Sequence, residues 1–177
     1  AIRAWMPLAA IEAVAGRPDV KFVRQAVKAA TNTGRVNSEG DVAHRASTAR
    51  ANFGVNGSGV KVAVLSDSVD FLAASQASGD LGNVTVLPGQ SGVPGSGEGT
   101  AMLEIVHDLA PGAELYYATA FTSPASFAQN ILDLRNRYGC DIIIDDVGYF
   151  DESPFQDGVI ARAQIAQVLV ASLTSDA

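Results

Sequence analysis

The chain has 177 residues, of which 47 % are hydrophobic and 18 % charged, and its formal net charge is −7. This composition allows a packed core and excludes a disordered tail, and the excess of acid argues against nucleic acid and membrane surfaces as partners. One cysteine and two histidines exclude an internal disulfide and a zinc cluster, and no apolar run approaches the roughly 18 residues of a membrane span.

The first 59 residues predict small elements that precede the main domain. LAAIEAVAG (8–16) predicts an amphipathic helix, with Trp5 as its anchor, and VKFVRQAV (20–27) predicts a short strand. Residues 31–59 are polar and rich in Gly, Asn and Ser, which is typical of a linker, with a helical turn or two within 41–54.

From residue 60 onward, apolar runs alternate with amphipathic helical patterns. This alternation predicts an α/β domain with three layers, in which a mostly parallel sheet carries helices on both faces. Predicted strands cover 60–65, 83–87, 113–120, 140–144 and 168–173, and predicted helices begin near residues 98, 124 and 154.

Carboxylates follow two of these strands directly. Asp67 comes after the run VAVL, and Asp145 and Asp146 come after the run DIII. Ligand sites of parallel sheets lie beyond the carboxyl ends of the strands. Because Asp145 and Asp146 alternate across the strand end, we expect one of the two to face the cleft.

Glu98 stands where a glycine-rich loop becomes a helix, at the same edge of the sheet. A carboxylate in a first helical turn is stabilised by about 0.3–1 kcal/mol, so Glu98 could be a structural cap alone. However, it precedes by four residues the start of an apolar stripe that is expected to face the sheet, so a functional role stays equally open. The stripe consists of Met102, Ile105, Val106 and Leu109.

Another polar group on this helix is formed by Glu104, His107 and Asp108. The three side chains could hold a metal ion weakly, but a solvated helix face explains them better. The residues therefore predict no metal site here.

Two segments resemble the subtilase-like clan of serine peptidases, which includes the subtilisin and sedolisin families. They are GVKVAVLSDSVD (59–70) and GEGTAMLEIVHDLAPGAELYYATAF (97–121). The resemblance spans about 57–172 and implies that Asp67 is the catalytic aspartate. It places Glu98 where subtilisins have the histidine of a His-Gly-Thr motif, and sedolisins also use a glutamate as base.

The resemblance extends to a third segment, CDIIIDDVGYF (140–150), which is similar to the strand that lines the substrate cleft in the family. It implies that Asp146, Val147 and Gly148 bind substrate. Near the end of the chain, Asp176 falls close to the family's oxyanion position.

The chain also departs from both families. Sedolisins place a second acid four residues after the glutamate, where this chain has Met102. Ser66 stands where the family aspartate usually follows the strand, with Asp67 one residue later. The Gly-Thr-Ser segment that carries the nucleophile does not occur in the 177 residues.

The resemblance implies a serine endopeptidase, represented here by a piece that lacks the nucleophile. Residues 1–30 would be a propeptide-like tail, 31–59 a linker, and 60–177 the N-terminal half of the catalytic domain.

The expected partners are a polypeptide substrate and the C-terminal remainder of that domain. The expected location is outside the cytoplasm, although the chain shows no signal peptide. No cofactor is expected; a structural calcium ion at the acidic rim is conceivable, but no motif indicates it.

Two other functions stay open at this point. The chain could be a non-catalytic relative that serves as a binding or scaffold domain, because the histidine and the nucleophilic serine are both absent. It could also be an unrelated receiver-like or flavodoxin-like domain that binds phosphate or a cation at Asp67.

Overall fold

The computed structural model describes residues 4–26, 39–152 and 155–174, with side chains up to residue 166. The chain folds into an α/β domain around one four-stranded, all-parallel sheet. A 3₁₀ turn (Leu8–Ala10) precedes the first helix. In chain order the elements are α1 (Ile11–Ala15), α2 (Gly40–Ala43), α3 (Ala46–Phe53), β1 (Lys61–Ser66), α4 (Leu72–Ser78), β2 (Val84–Val86), α5 (Glu98–Leu109), β3 (Glu114–Thr119), α6 (Pro124–Asn136), β4 (Ile142–Asp145) and α7 (Val159–Thr174).

Helices cover both faces of the sheet, as the alternation of patterns predicts. On one face, Leu65 and Ala118 pack with Phe127 and Ile131 of α6 and with residues of α7. On the other face, Val64 and Tyr117 pack with α5 and α4. Successive strand residues point to opposite faces, so each strand contributes to both cores.

The strand order is β2-β3-β1-β4. The connection from β1 to β2 and the connection from β2 to β3 run in opposite directions across the sheet, yet α4 and α5 lie on the same face. The two crossovers therefore have opposite hands, and one of them is left-handed, which occurs in about 2 % of such connections. This unusual path places the beginning of α5 beside the carboxyl end of β1.

Several predicted helices are confirmed, and the cap of α6 is the clearest case. The sequence Ser123-Pro124 predicts an N-cap followed by proline at the first helical position. In the structure, the Ser123 side chain accepts a hydrogen bond from the backbone N–H of Ser126, and α6 begins at Pro124.

Two predicted strands are wrong. Residues 20–26 form no strand, because no neighbouring strand offers them a hydrogen-bonding edge in the described part of the chain. The run VLVASL (168–173) lies within α7, which continues without a glycine or proline to Thr174. A short apolar run cannot be assigned to strand or helix from its periodicity alone.

The buried face of α5 also differs from the predicted stripe. Leu103 is fully buried, whereas Ile105 is 41 % exposed. The face that meets the sheet is set by the small residues Gly99 and Thr100 in the first turn.

The N-terminal segment is less embedded than predicted. Trp5 is fully exposed and anchors nothing in the described residues. An ion pair between Arg24 and Asp151 joins this segment to the region after β4. Among the described residues, no helix combines the length and the apolar character that crossing a bilayer requires.

Candidate active site at the carboxyl edge of the sheet

Asp67 lies in the turn after β1 and is only 6 % exposed. Its Oδ2 accepts hydrogen bonds from the hydroxyl (2.6 Å) and the backbone N–H (3.2 Å) of Ser96. Its Oδ1 accepts from the backbone N–H of Gly99 at 3.2 Å and from that of Ser68. A carboxylate has about four acceptor positions, so these donors occupy the group fully.

Through these contacts Asp67 caps the N-terminus of α5, although it lies in the turn after β1. The residue at the N-cap position of α5 is Gly97, and glycine has no side chain that could accept hydrogen bonds from the N–H groups of the first turn. Asp67 takes this role from the end of β1. The carboxylate therefore fixes the first turn of α5 to the sheet.

Asp70 holds the same loop from a second direction. Its Oδ2 accepts from the backbone N–H of Gly95 at 2.6 Å, and its carbonyl oxygen accepts from the hydroxyl of Thr100 at 2.6 Å. The glycine-rich loop is thus tied on both sides of Glu98.

Glu98 is the first residue of α5 and is half-buried, as its position in the sequence predicts. Its Oε2 oxygen is shielded from solvent. The backbone at Glu98 lies at the carboxyl edge of the sheet, because the N–H of the next residue, Gly99, donates to Asp67.

Gly99 allows the close approach of α5 to β3. A Cβ atom at this position would lie 2.4 Å from Cε2 of Tyr117 and 2.6 Å from the carbonyl oxygen of Ser68. No other residue type fits this contact without a shift of the helix or of the sheet.

The ionisation of Asp67 follows from these contacts. Burial opposes the charged form, but the hydrogen bond from the Ser96 hydroxyl and those from the N–H groups of Ser68, Gly99 and Ser96 outweigh it. Together they hold the pKa of Asp67 below its ordinary value. A lowered pKa argues against a proton shared between Asp67 and Glu98 near neutral pH.

This lowered pKa makes the stability of the domain depend on pH. The contribution of Asp67 is present above its unfolded pKa of about 3.9 and is lost as the pH falls through its lower folded pKa. We expect Asp67→Asn to lower the free energy of unfolding at pH 7 by about 1–3 kcal/mol, and the difference from wild type to shrink in acid. Urea titrations at pH 7 and at about pH 2.5 measure both quantities.

Asp80→Asn is the matched control, because Asp80 is exposed and, among the described residues, its side chain bonds only to Ser78. We expect this change to leave the free energy of unfolding within about 0.5 kcal/mol of wild type. An Asp67→Asn deficit of equal size at both pH values would contradict the account.

Asp145 and Asp146, at the end of β4, bond to different elements. Asp146 is half-buried, and its Oδ1 accepts a hydrogen bond from Ser66 at 3.3 Å. Asp145 is exposed on the opposite side, where Gln164 of α7 approaches it at 3.5 Å. The residue as a whole is exposed, but its carboxyl group is partly shielded from water by neighbouring atoms; this loss of hydration, followed by repulsion from Asp146, raises the pKa of Asp145.

The other residues that the sequence selects for substrate binding lie apart. Val147 is 6 % exposed and packs in the core with Tyr149, so only its backbone is available to a ligand. Gly148 is exposed. Asp176 and the predicted cap at residues 153–154 lie outside the described residues.

Glu104 has a structural contact, since it accepts a hydrogen bond from Ser75 of α4 at 2.6 Å. Within residues 4–26, 39–152 and 155–174, no three His, Cys, Asp or Glu side chains are placed to hold a metal ion.

Sequence analysis missed four polar residues of this site. Ser66, Ser68 and Tyr117 are each at most 1 % exposed, and Ser96 binds Asp67 from the glycine-rich loop. The pattern PGSGE (94–98) hints at Ser96, because serine is the only hydrogen-bonding side chain among its small neighbours. Nothing in the sequence distinguishes Tyr117 from an ordinary core aromatic residue.

Comparisons of the chain with protein family models, with curated proteins and with solved structures found no match. The fold and the geometry above are therefore the basis for any functional proposal.

Proposed function

We propose that this chain is part of the catalytic domain of a subtilase-like serine endopeptidase, with Glu98 as the general base. One observation carries the proposal: the carboxylate of Asp67 is bonded to the first turn of α5, the helix that opens with Glu98. The resemblance selects these two carboxylates, and they lie at one edge of the sheet.

In this proposal the serine nucleophile transfers its hydroxyl proton to Glu98 as its oxygen attacks the peptide carbonyl. Glu98 then gives the proton to the leaving amine, and water hydrolyses the acyl-enzyme in a second step. Asp67 is a positioning residue in this scheme. It acts through the backbone N–H of Gly99 and through Ser96, whereas the aspartate of a serine–histidine triad bonds directly to its base.

The remaining parts of the proposal follow from the resemblance. The substrate is a polypeptide, and the serine is supplied by a further part of the same catalytic domain, because residues 1–177 contain no Gly-Thr-Ser segment. A subtilase of this type is expected to act outside the cytoplasm.

A glutamate base predicts peptidase activity in acid. Glutamate side chains have an ordinary pKa of about 4.3 and histidine side chains one of about 6.5, so a glutamate base stays charged at a pH where histidine is protonated. We expect the protein encoded by the complete gene to retain kcat/KM for a denatured protein substrate down to about pH 5. A pH–rate profile measures this, and a loss of activity below about pH 6 would contradict Glu98 as base.

A second candidate is a non-catalytic domain of the same fold, used for binding. It is favoured by the complete occupation of Asp67 by structural donors, which leaves that carboxylate no free acceptor for a reacting group. A complete gene product in which no serine reacts with a fluorophosphonate probe would support this candidate. The receiver-like alternative requires an accessible aspartate after β1, and Asp67 is only 6 % exposed.

A further inference from the structure

Tyr117 carries a buried hydroxyl group that the proposed mechanism does not use. The residue lies on β3 and is 0 % exposed, and its ring lies beneath Gly99 in the first turn of α5. Its hydroxyl makes no hydrogen bond of normal geometry among the described residues, although the Thr119 hydroxyl, which donates to the carbonyl oxygen of Asp67 at 2.8 Å, lies near it. A buried hydroxyl without a partner costs stability, so we expect a hydrogen-bond acceptor within reach of the Tyr117 hydroxyl.

Three carboxylates act on this hydroxyl. Burial raises the pKa of Tyr117 above its ordinary value, and the negative charges of Asp67, Asp146 and Asp70 raise it further, while the nearby Thr119 hydroxyl opposes the shift in part. A raised pKa favours the neutral phenol, which can donate a hydrogen bond.

Asp67 has no open acceptor position, whereas the carboxylates of Asp70 and Asp146 each accept one hydrogen bond, and the charge of Asp146 raises the pKa of Tyr117 more than that of Asp70 does. Asp67 accepts four hydrogen bonds, and Asp70 is engaged with the N–H of Gly95. Asp146 accepts a single bond, from Ser66, and at 3.3 Å this bond is long.

The register of the sheet makes the contact geometrically possible. Tyr117 pairs with Val64 of β1, and Val64 pairs with Ile144 of β4. Asp146 lies two residues after Ile144, so it shares the face of the sheet on which Tyr117 lies. The two backbones are two strand spacings apart, about 10 Å, and a tyrosine and an aspartate side chain can bridge that distance over β1.

We propose that Ser66 and Tyr117 form a buried hydroxyl pair that donates to Asp146 and makes it the second acid of the site, beside Glu98. This inference rests on the proposed function for its catalytic meaning. In this arrangement the two aspartates have different roles. Asp67 fixes the first turn of α5, and Asp146 is the carboxylate positioned to act in the proposed reaction. Tyr117 and Ser66 are positioning residues in this arrangement.

A double-mutant cycle with Tyr117→Phe and Asp146→Ala tests the inference. The free energy of unfolding of the protein encoded by the complete gene is measured by urea titration at pH 7 for wild type, both single variants and the double variant. We expect Tyr117→Phe to reduce the folding equilibrium constant about tenfold when Asp146 is present, and to have no such effect when residue 146 is alanine.

A pH series separates the hydrogen bond to a charged group from a packing role of the ring. The coupling is expected to weaken in acid, at about pH 2.5, because a hydrogen bond to a charged acceptor is stronger than one to a neutral acceptor, whereas a packing effect would persist. The other titratable groups around this cluster are Asp67 and Asp70 between β1 and α4, Asp145 on β4 and Glu98 on α5, and they are unchanged in all four proteins of the cycle.

Tyr116→Phe is the matched control. Tyr116 is the neighbouring residue on β3, its side chain faces the opposite core, and its hydroxyl donates to Glu114 at 3.2 Å. We expect no coupling between Tyr116 and Asp146. The inference is overturned if Tyr117→Phe stabilises the chain or leaves it unchanged, or if its effect is the same with alanine at position 146.

The cycle reads stability alone and needs no peptidase activity. If the cycle shows no coupling between Tyr117 and Asp146, the role of Tyr117 is overturned even if the complete protein is an acid peptidase. If it shows coupling in a protein without peptidase activity, the hydrogen bond is supported and only the proposed function is refuted.

Discussion

Replacing Glu98 with glutamine is expected to reduce kcat for peptide hydrolysis by the complete protein about a thousandfold, with little change in KM. Glutamine has nearly the same shape but cannot accept the proton of a serine hydroxyl, so the loss falls on the chemical step. The measurement is steady-state hydrolysis of a denatured protein at about pH 5.

Glu104→Gln is the control for this change. Glu104 lies on the same helix, and its carboxylate accepts a hydrogen bond from Ser75. We expect this variant to keep kcat within about threefold of wild type, because an amide oxygen can accept the same bond. Equal kcat values for Glu98→Gln and wild type would show that Glu98 is only a helix cap.

Replacing Gly99 with alanine is expected to destabilise the domain by about 3 kcal/mol. The new methyl group would meet Cε2 of Tyr117 at 2.4 Å and the carbonyl oxygen of Ser68 at 2.6 Å, and a backbone atom cannot move away as a flexible side chain can. This strain exceeds the roughly 1 kcal/mol by which alanine favours a helix over glycine. Urea titration at pH 7 gives the free energy of unfolding.

Gly148→Ala provides the comparison, since a Cβ atom at Gly148 would have open space around it. We expect that variant to stay within about 0.5 kcal/mol of wild type. If Gly99→Ala were as stable as Gly148→Ala, the close contact between α5 and Tyr117 would not exist in solution, and neither would the position it gives Glu98.

The parts of the site that the sequence predicts are those set by local chemistry. Asp67 is recognisable because it ends a continuous apolar run, and Glu98 because a glycine-rich loop precedes it and a helical pattern follows. Both features depend only on neighbouring residues. The parallel sheet follows in the same way from the alternation of strand and helix patterns.

The parts that could not be predicted depend on contacts between distant residues. The bonds from Ser96 and Gly99 to Asp67 span about thirty positions of the chain. They also depend on the unusual hand of one crossover, which no local pattern encodes. For this reason the sequence places Asp67 and Glu98 at one edge of the sheet, but it does not reveal that Asp67 bonds to the backbone of the helix that carries Glu98.

The errors in secondary structure have similar causes. A strand needs a partner edge, which residues 20–26 do not find in the described part of the chain. The apolar run at the end of α7 has the composition of a strand but follows an alanine-rich helical segment that nothing interrupts. In α5, the contact of Gly99 with Tyr117 decides which side of the helix faces the sheet.

Labelling of the active serine tests the central claim most directly. The protein encoded by the complete gene is treated with a fluorophosphonate probe at about pH 5, as wild type and as Glu98→Gln. The account predicts that one serine of the wild type is labelled stoichiometrically and that labelling of Glu98→Gln is slower by at least about a hundredfold, because the base that activates the serine is absent. Equal labelling of the two proteins, or no labelled serine in the wild type, would contradict the assignment of Glu98 as the base of a serine peptidase.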